Sequence, residues 1–249
     1  MNETIVIDQR FCGPPNMGNG GYVAGLLAKQ LTGAVKVTLR RPVPLERPLT
    51  VETIPDHLVI LRQGEMLLAE AQPTTLEIEL PSVPYYTDAA AVTGQHPNLD
   101  RHPFPNCFVC GPNRQPADGM RILPGPLEDG ELVASVWRPD DSLADESGHV
   151  APEFLWAALD CPGGTAAVHR NPRPIVLGQL RVHIQSPVKP GSPCIVLGWR
   201  IGGEGRKHLT GSALFSILGQ PIAYGQAIWL EVTPDYNRHD RLQFNKLVS

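Results

Sequence analysis

The chain has 249 residues, a formal net charge of −4 and only 18% charged side chains. That length allows one or two domains, and the mildly acidic balance excludes a general nucleic-acid binder. Five cysteines, an odd and low count, argue against a disulfide framework and for a reducing cytoplasm. No apolar run approaches the roughly 18 residues of a membrane span, and Met1–Arg10 lacks the basic-then-apolar layout of a secretion signal.

Taken in chain order, the first helical segment is Gly21-Tyr-Val-Ala-Gly-Leu-Leu-Ala-Lys-Gln-Leu31. Apolar side chains surround most of it, which predicts a buried helix rather than one laid on a surface. Val35, Val37 and Leu39 then alternate with Lys36, Thr38 and Arg40, the pattern of a strand with one wet face. A strand pair ending at Met66–Ala71 follows. The stretch from Pro81 to Gly119, rich in Pro, Asn, Asp and Gly, reads as a linker. Beyond it, Pro152–Asp160 is a second helical segment, again apolar nearly all round. Leu180, Val182 and Ile184 alternate with Arg181, His183 and Gln185, and a further strand pair ends at Ile222–Leu230.

The order of elements is therefore the same twice, and the sequence itself repeats. Val37–Val51 aligns without gaps on Val182–Val196, 145 positions further on. Pro42-Val43 falls on Pro187-Val188, and Pro48 falls on Pro193. The fold class is α+β: two duplicated units, each an antiparallel sheet wrapped around a central helix.

That plan, with its motifs, resembles the hotdog fold. The second half resembles hotdog thioesterases of the phenylacetate-pathway and 4-hydroxybenzoyl-CoA type. Its landmarks are Cys107-Phe-Val-Cys-Gly-Pro112, Asp118-Gly-Met-Arg-Ile-Leu123, Ala158-Leu-Asp160, Pro187-Val188 and Gly205-Arg206. The first half resembles the same fold through Asn19-Gly20-Gly21 at the opening of its helix. The resemblance implies a double-hotdog acyl-CoA thioesterase-like chain. Its parts are an N-terminal unit over 1–83, a linker over 84–119 and a C-terminal unit over 120–249.

In such thioesterases the central helix opens with His-Gly-Gly and carries an Asp or Glu about two turns later. Here Asn19-Gly20-Gly21 matches the opening, with Asn in place of His, and the acid position falls on Ala28. In the second half Asp160 matches the acid, but the opening is Ala151-Pro152-Glu153, and Pro152 has no amide hydrogen to offer an oxyanion. Eight residues of helix span about 12 Å, so one carbonyl cannot touch both ends of one helix. The resemblance implies antiparallel neighbouring helices, which would bring Asp160 to the start of the other helix. One composite site per chain is then expected. The Gly20 or Gly21 amide holds the oxyanion, Asn19 lies alongside, and Asp160 acts as nucleophile or as base for water.

Arg206 and Lys207 are candidates for a CoA phosphate and Thr165 for a substrate-facing hydroxyl. Asn19, Gly20 and Gly21 are also ordinary turn and capping residues, and two adjacent cations are often merely solvated. Cys107 and Cys110 form a lone Cys-x-x-Cys near His102, with Cys12 in a similar Cys-Gly-Pro context. Zinc wants four ligands, so packing is the reading and no metal is expected. Cys161 and Cys194 stand alone in apolar surroundings. His183 reads as solvated, and His149 lies two residues too early to match the family histidine. No serine-hydrolase elbow and no nucleotide-binding loop is present. No cofactor is expected beyond the CoA of a substrate.

Three activities fit this reading: an acyl-CoA or acyl-carrier thioesterase, a non-catalytic acyl-thioester binding or scaffold protein, and a hotdog hydratase-like lyase. The expected partner is a small-molecule acyl thioester, with no nucleic acid and no membrane. An exposed sheet edge could pair two chains into a homodimer, although no residue argues for it.

Overall fold

The computed structural model describes residues 2–95, 99–128 and 130–232. The alternating segments become strands as expected. In the first half these are β1 (Asn2–Val6), β2 (Val35–Leu39), β3 (Pro48–Ile54), β4 (Leu58–Gln63) and β5 (Met66–Pro73). After a short β6 (Gly125–Pro126), the second half supplies β7 (Leu132–Trp137), β8 (Ile175–Ile184), β9 (Cys194–Glu204), β10 (Lys207–Ser216) and β11 (Pro221–Glu231). Among the described residues, these eleven strands form one antiparallel sheet in the order β1-β3-β4-β5-β2-β8-β11-β10-β9-β7-β6.

The seam of that sheet is β2 against β8. Val35 lies opposite Val182, Val37 opposite Leu180, and Lys36 opposite Arg181. Lys36 and Arg181 are equivalent positions of the sequence repeat. A pair of equivalents facing each other is what an approximate two-fold axis through the seam produces. From the seam outward, each arm adds its last strand first: β5, β4, β3 and β1 on one side, β11, β10, β9 and β7 on the other. Thr38, expected on a wet face, is buried, because Gln179 of β8 reaches over and donates to its hydroxyl at 3.3 Å.

Among the described residues, four α-helices accompany the sheet: α1 (Gly20–Ala28), α2 (Tyr86–Val92), α3 (Pro152–Ala158) and α4 (Asp160–Val168). The two apolar segments, α1 and α3, are buried on nearly every side, as their composition requires. They pack against each other in antiparallel fashion. A Cβ on Gly21 would meet Asp160, Trp156 and Ala157, and one on Gly25 would meet Glu153. Lys29 pairs with Glu153 at 3.7 Å beyond them. Glycines four apart let the two backbones approach more closely than any side chain would permit.

The second helical segment is broken, contrary to the single helix expected through Asp160. Helix α3 stops at Ala158 and α4 begins at Asp160. Two groups account for the break. Pro162 has no amide hydrogen to return to Ala158, and the Leu159 carbonyl instead accepts from the Ser212 hydroxyl at 2.6 Å. Asp160 is thereby placed at the start of a helix rather than at the end of one.

The segment between the halves is woven into the core. Phe108 is fully buried, with its ring close to those of Phe11, Tyr22 and Phe154 at centroid distances of 5.1, 6.2 and 6.0 Å. Its amide donates to Cys12 O and its carbonyl accepts from Met120 N. Arg114 ties the same segment down, donating to Asn106 O and Arg10 O and pairing with Asp118. Among the described residues, no helix is long and apolar enough to cross a membrane.

Candidate active site

A cavity of about 510 Å³ opens beside the meeting point of α1 and α4. Asn19 and Gly20 at the start of α1, Asp160 and Thr165 of α4, Leu39 of β2 and Leu177 of β8 line it. Both halves thus contribute to one chamber, which lies over the β2–β8 seam. Gly20 sits against Leu39 and Leu177, so the first turn of α1 rests on the seam itself.

Asp160 is 3% exposed, and its Oδ2 is fixed from two sides. The Gly21 amide donates to it at 2.8 Å and the Asn19 Nδ2 at 2.9 Å. Asn19 also caps α1, its Oδ1 accepting from the Tyr22 amide at 2.9 Å. One buried Asn therefore orients the helix start and the carboxylate together. The other carboxylate oxygen, Oδ1, is buried without a partner among the described residues. Burial pushes the Asp160 carboxyl up to about 7, and a charge on Cys107 adds to the rise. The Gly21 amide and Asn19 oppose it.

Of the two glycine amides offered by the sequence, only one is left open. The Gly21 amide is engaged by Asp160 and is not open to a substrate oxygen. No described group accepts from the Gly20 amide, and Gly20 lines the cavity. Arg206 and Lys207 lie on the exposed β9–β10 turn and are not among the cavity-lining residues. The turn does approach the cavity edge. The Arg206 carbonyl accepts from the Glu231 amide, and Glu231 pairs at 2.7 Å with Arg173, which lines the cavity.

The largest departure concerns the thiols. Cys161 does not stand alone: its sulfur lies 3.8 Å from that of Cys107. Cys107, Cys110 and Cys161 gather with their sulfurs all within 4.8 Å of one another, on the same cavity wall as Asp160. Thiol hydrogen bonds from Cys110 and Cys161 pull Cys107 well below its ordinary value against the effect of burial. The Cys110 and Val109 amides pull in the same direction. His102 also lines the cavity, and burial pushes its imidazole down. Cys12 is elsewhere, in contact with Arg114 and donating to Asn106 O. His149 bonds within its own loop to Ser147, and His183 lies beside Tyr224, so neither reaches the cavity. Cys161 was hidden from sequence reading because 54 residues separate it from Cys107. Its position next to Asp160 was the one available signal.

The sequence matches no protein-family model and no curated protein. Solved structures match over nearly the whole chain. A conserved protein of unknown function with a hot dog fold from Alicyclobacillus acidocaldarius is 13% identical, with a TM-score of 0.56 and 94% of each chain covered. The tesB protein of Mycobacterium avium subsp. paratuberculosis is 14% identical, with a TM-score of 0.61 and 93% of each chain covered. A Thermobifida fusca protein assigned as a thioesterase II is 12% identical, with a TM-score of 0.62 over 93% of this chain and 92% of that one. At such identities the likeness defines the fold, which is the hot dog fold.

Proposed function

We propose that this protein is an acyl-thioester hydrolase acting on acyl-CoA or acyl-carrier thioesters, with one composite site between two hotdog units. The observation that carries the proposal is the state of Asp160. One carboxylate oxygen is clamped by Gly21 and Asn19, and the other is unpartnered, buried and next to an apolar cavity. The tandem reading, with units over 1–83 and 120–249, is supported by Lys36 lying opposite Arg181 and by the matching outward order of the two arms, whereas 84–119, read as a linker, contributes Cys107–Cys110 to the core. The tesB and thioesterase II names of two structural neighbours agree with the reading. Five free thiols suit a reducing cytoplasm.

The chemistry is a hydrolysis with Asp160 as base. Its Oδ1 takes a proton from a water molecule, and the water oxygen bonds to the thioester carbonyl carbon. The C=O electron pair moves onto oxygen, where the Gly20 amide and the positive end of α1 stabilise the developing charge. Collapse restores the carbonyl and breaks the C–S bond, and the departing thiolate takes the proton from Asp160. A carboxyl held at about 7 is half ionised at neutral pH, which suits it to accepting and returning that proton. The acyl chain occupies the apolar cavity, with Thr165 in its wall. Arg206 and Lys207 meet the phosphates of a CoA that extends past Arg173.

The test is thiol release from a panel of short, long and aromatic acyl-CoA esters. Saturable turnover should be found, and Asp160→Asn should lower kcat by about 100-fold or more. Flat traces across the panel would defeat the hydrolase reading. Tight binding without turnover would make the protein an acyl-thioester binder.

A further inference from the structure

We propose that Cys107, Cys110 and Cys161 form a thiolate site for a single zinc-class ion on the cavity wall beside Asp160. Bonds of about 2.3 Å from a tetrahedral zinc place its sulfur ligands about 3.8 Å apart. Cys107 and Cys161 are already 3.8 Å apart, and Cys110 completes a triangle with every edge within 4.8 Å.

The surroundings are built for a thiolate. The chain folds back on itself here, the Gly111 amide donating to the Cys107 carbonyl at 2.9 Å. This tight turn requires Gly111, where a Cβ would fall 2.5 Å from the Cys107 carbonyl and 2.7 Å from that of Pro105. Asn19 Nδ2, 3.8 Å from the Cys107 sulfur, joins the cluster to Asp160.

Charge argues the same way. Asp160, the residue before Cys161, is buried and makes no ion pair among the described residues. Buried charges are normally paired or bound to a metal. A divalent cation on the three sulfurs would place a counter-charge beside that carboxyl group. Soft thiolate ligands select a zinc-class ion over magnesium or calcium. Three protein ligands leave a fourth tetrahedral place, and all three cysteines line the cavity from which it is filled. Loading forms three Zn–S bonds and releases the thiol protons to solvent, so affinity falls as pH falls.

The inference does not rest on the hydrolase reading, and its test uses no turnover. The full chain is purified reduced, saturated with Zn2+, desalted and analysed for metal, and a second sample is loaded with Co2+ for visible spectroscopy. About one zinc per chain and intense tetrahedral cobalt–thiolate bands are expected. Cys161→Ser and Cys110→Ser, each checked for folding by circular dichroism, should each weaken zinc retention by about tenfold or more. No retained zinc in the wild type, weak octahedral cobalt bands, or unchanged retention in either folded variant would overturn the proposal.

Discussion

Replacing Asp160 with Asn should make the protein more stable and less active, with a pH signature that separates the two effects. In the native chain the Asp160 carboxyl is raised from 3.8 to about 7, chiefly by burial. A value higher in the folded than in the unfolded state means that the native chain binds the extra proton. The stabilisation from that proton is complete below about pH 4 and is lost as pH rises through about 7. Each pH unit in that window removes about 1.4 kcal/mol, so by about pH 8 ionised Asp160 costs the fold about 4 kcal/mol. Asn has the same shape, and its side-chain oxygen can still accept from the Gly21 amide and Asn19, but it never ionises. Urea unfolding of both proteins in metal-free form, followed by tryptophan fluorescence from about pH 4.5 to 8.5, gives the comparison. The two stability curves should lie together at the acid end and diverge toward the alkaline end, with the variant above. Parallel curves would refute the claim that Asp160 is held as a buried, destabilised carboxylate. The same variant should fail in thiol release. A gain in stability with a loss of turnover is the mark of a charge kept in the core for function.

Gly21→Ala places a methyl 2.6 Å from the Asp160 Cβ and 2.8 Å from the Trp156 carbonyl, so α1 must back away from α3. A loss of about 1–3 kcal/mol in urea unfolding is expected. Gly20→Ala meets the side chains of Leu39 and Leu177, and no backbone, at 3.0–3.1 Å and should cost less, so equal losses would contradict the packing account. Asn19→Ala removes a helix cap, at about 1 kcal/mol, and one of the two donors to Asp160. Because that donor lowers the carboxyl value, the acid limb of the kcat/KM profile should move up from about 7, and an unmoved limb would count against Asp160 as base. Arg206→Ala with Lys207→Ala should raise KM for CoA esters, with kcat retained and the effect fading at high salt. An unaltered KM would remove these residues from substrate binding.

Several features were legible in the chain itself because they depend on local periodicity. Alternation along Val35–Leu39 and Leu180–Ile184 gave strands, and apolar residues all round Tyr22–Leu27 and Phe154–Leu159 gave buried helices. The proline-marked repeat pointed to a duplication. Asp160 and Asn19-Gly20-Gly21 were also visible, as matches to the acid and the helix opening of the family they resemble. What could not be read were distances across the fold. Asn19 and Asp160 are 141 residues apart in sequence, and their 2.9 Å contact exists only because two glycine-faced helices pack antiparallel. That packing also decided that the Gly21 amide serves the carboxylate and leaves the Gly20 amide open. The break at Leu159 needed Ser212 from a distant strand.

The thiols make the same point. Sequence spacing disclosed a Cys-x-x-Cys and nothing more, because a third ligand can come from anywhere in the chain. The α3–α4 kink turns Cys161 toward that pair. Backbone propensities act over a few residues and specify elements. Close packing of those elements fixes angstrom-scale distances between remote side chains, and those distances determine chemistry.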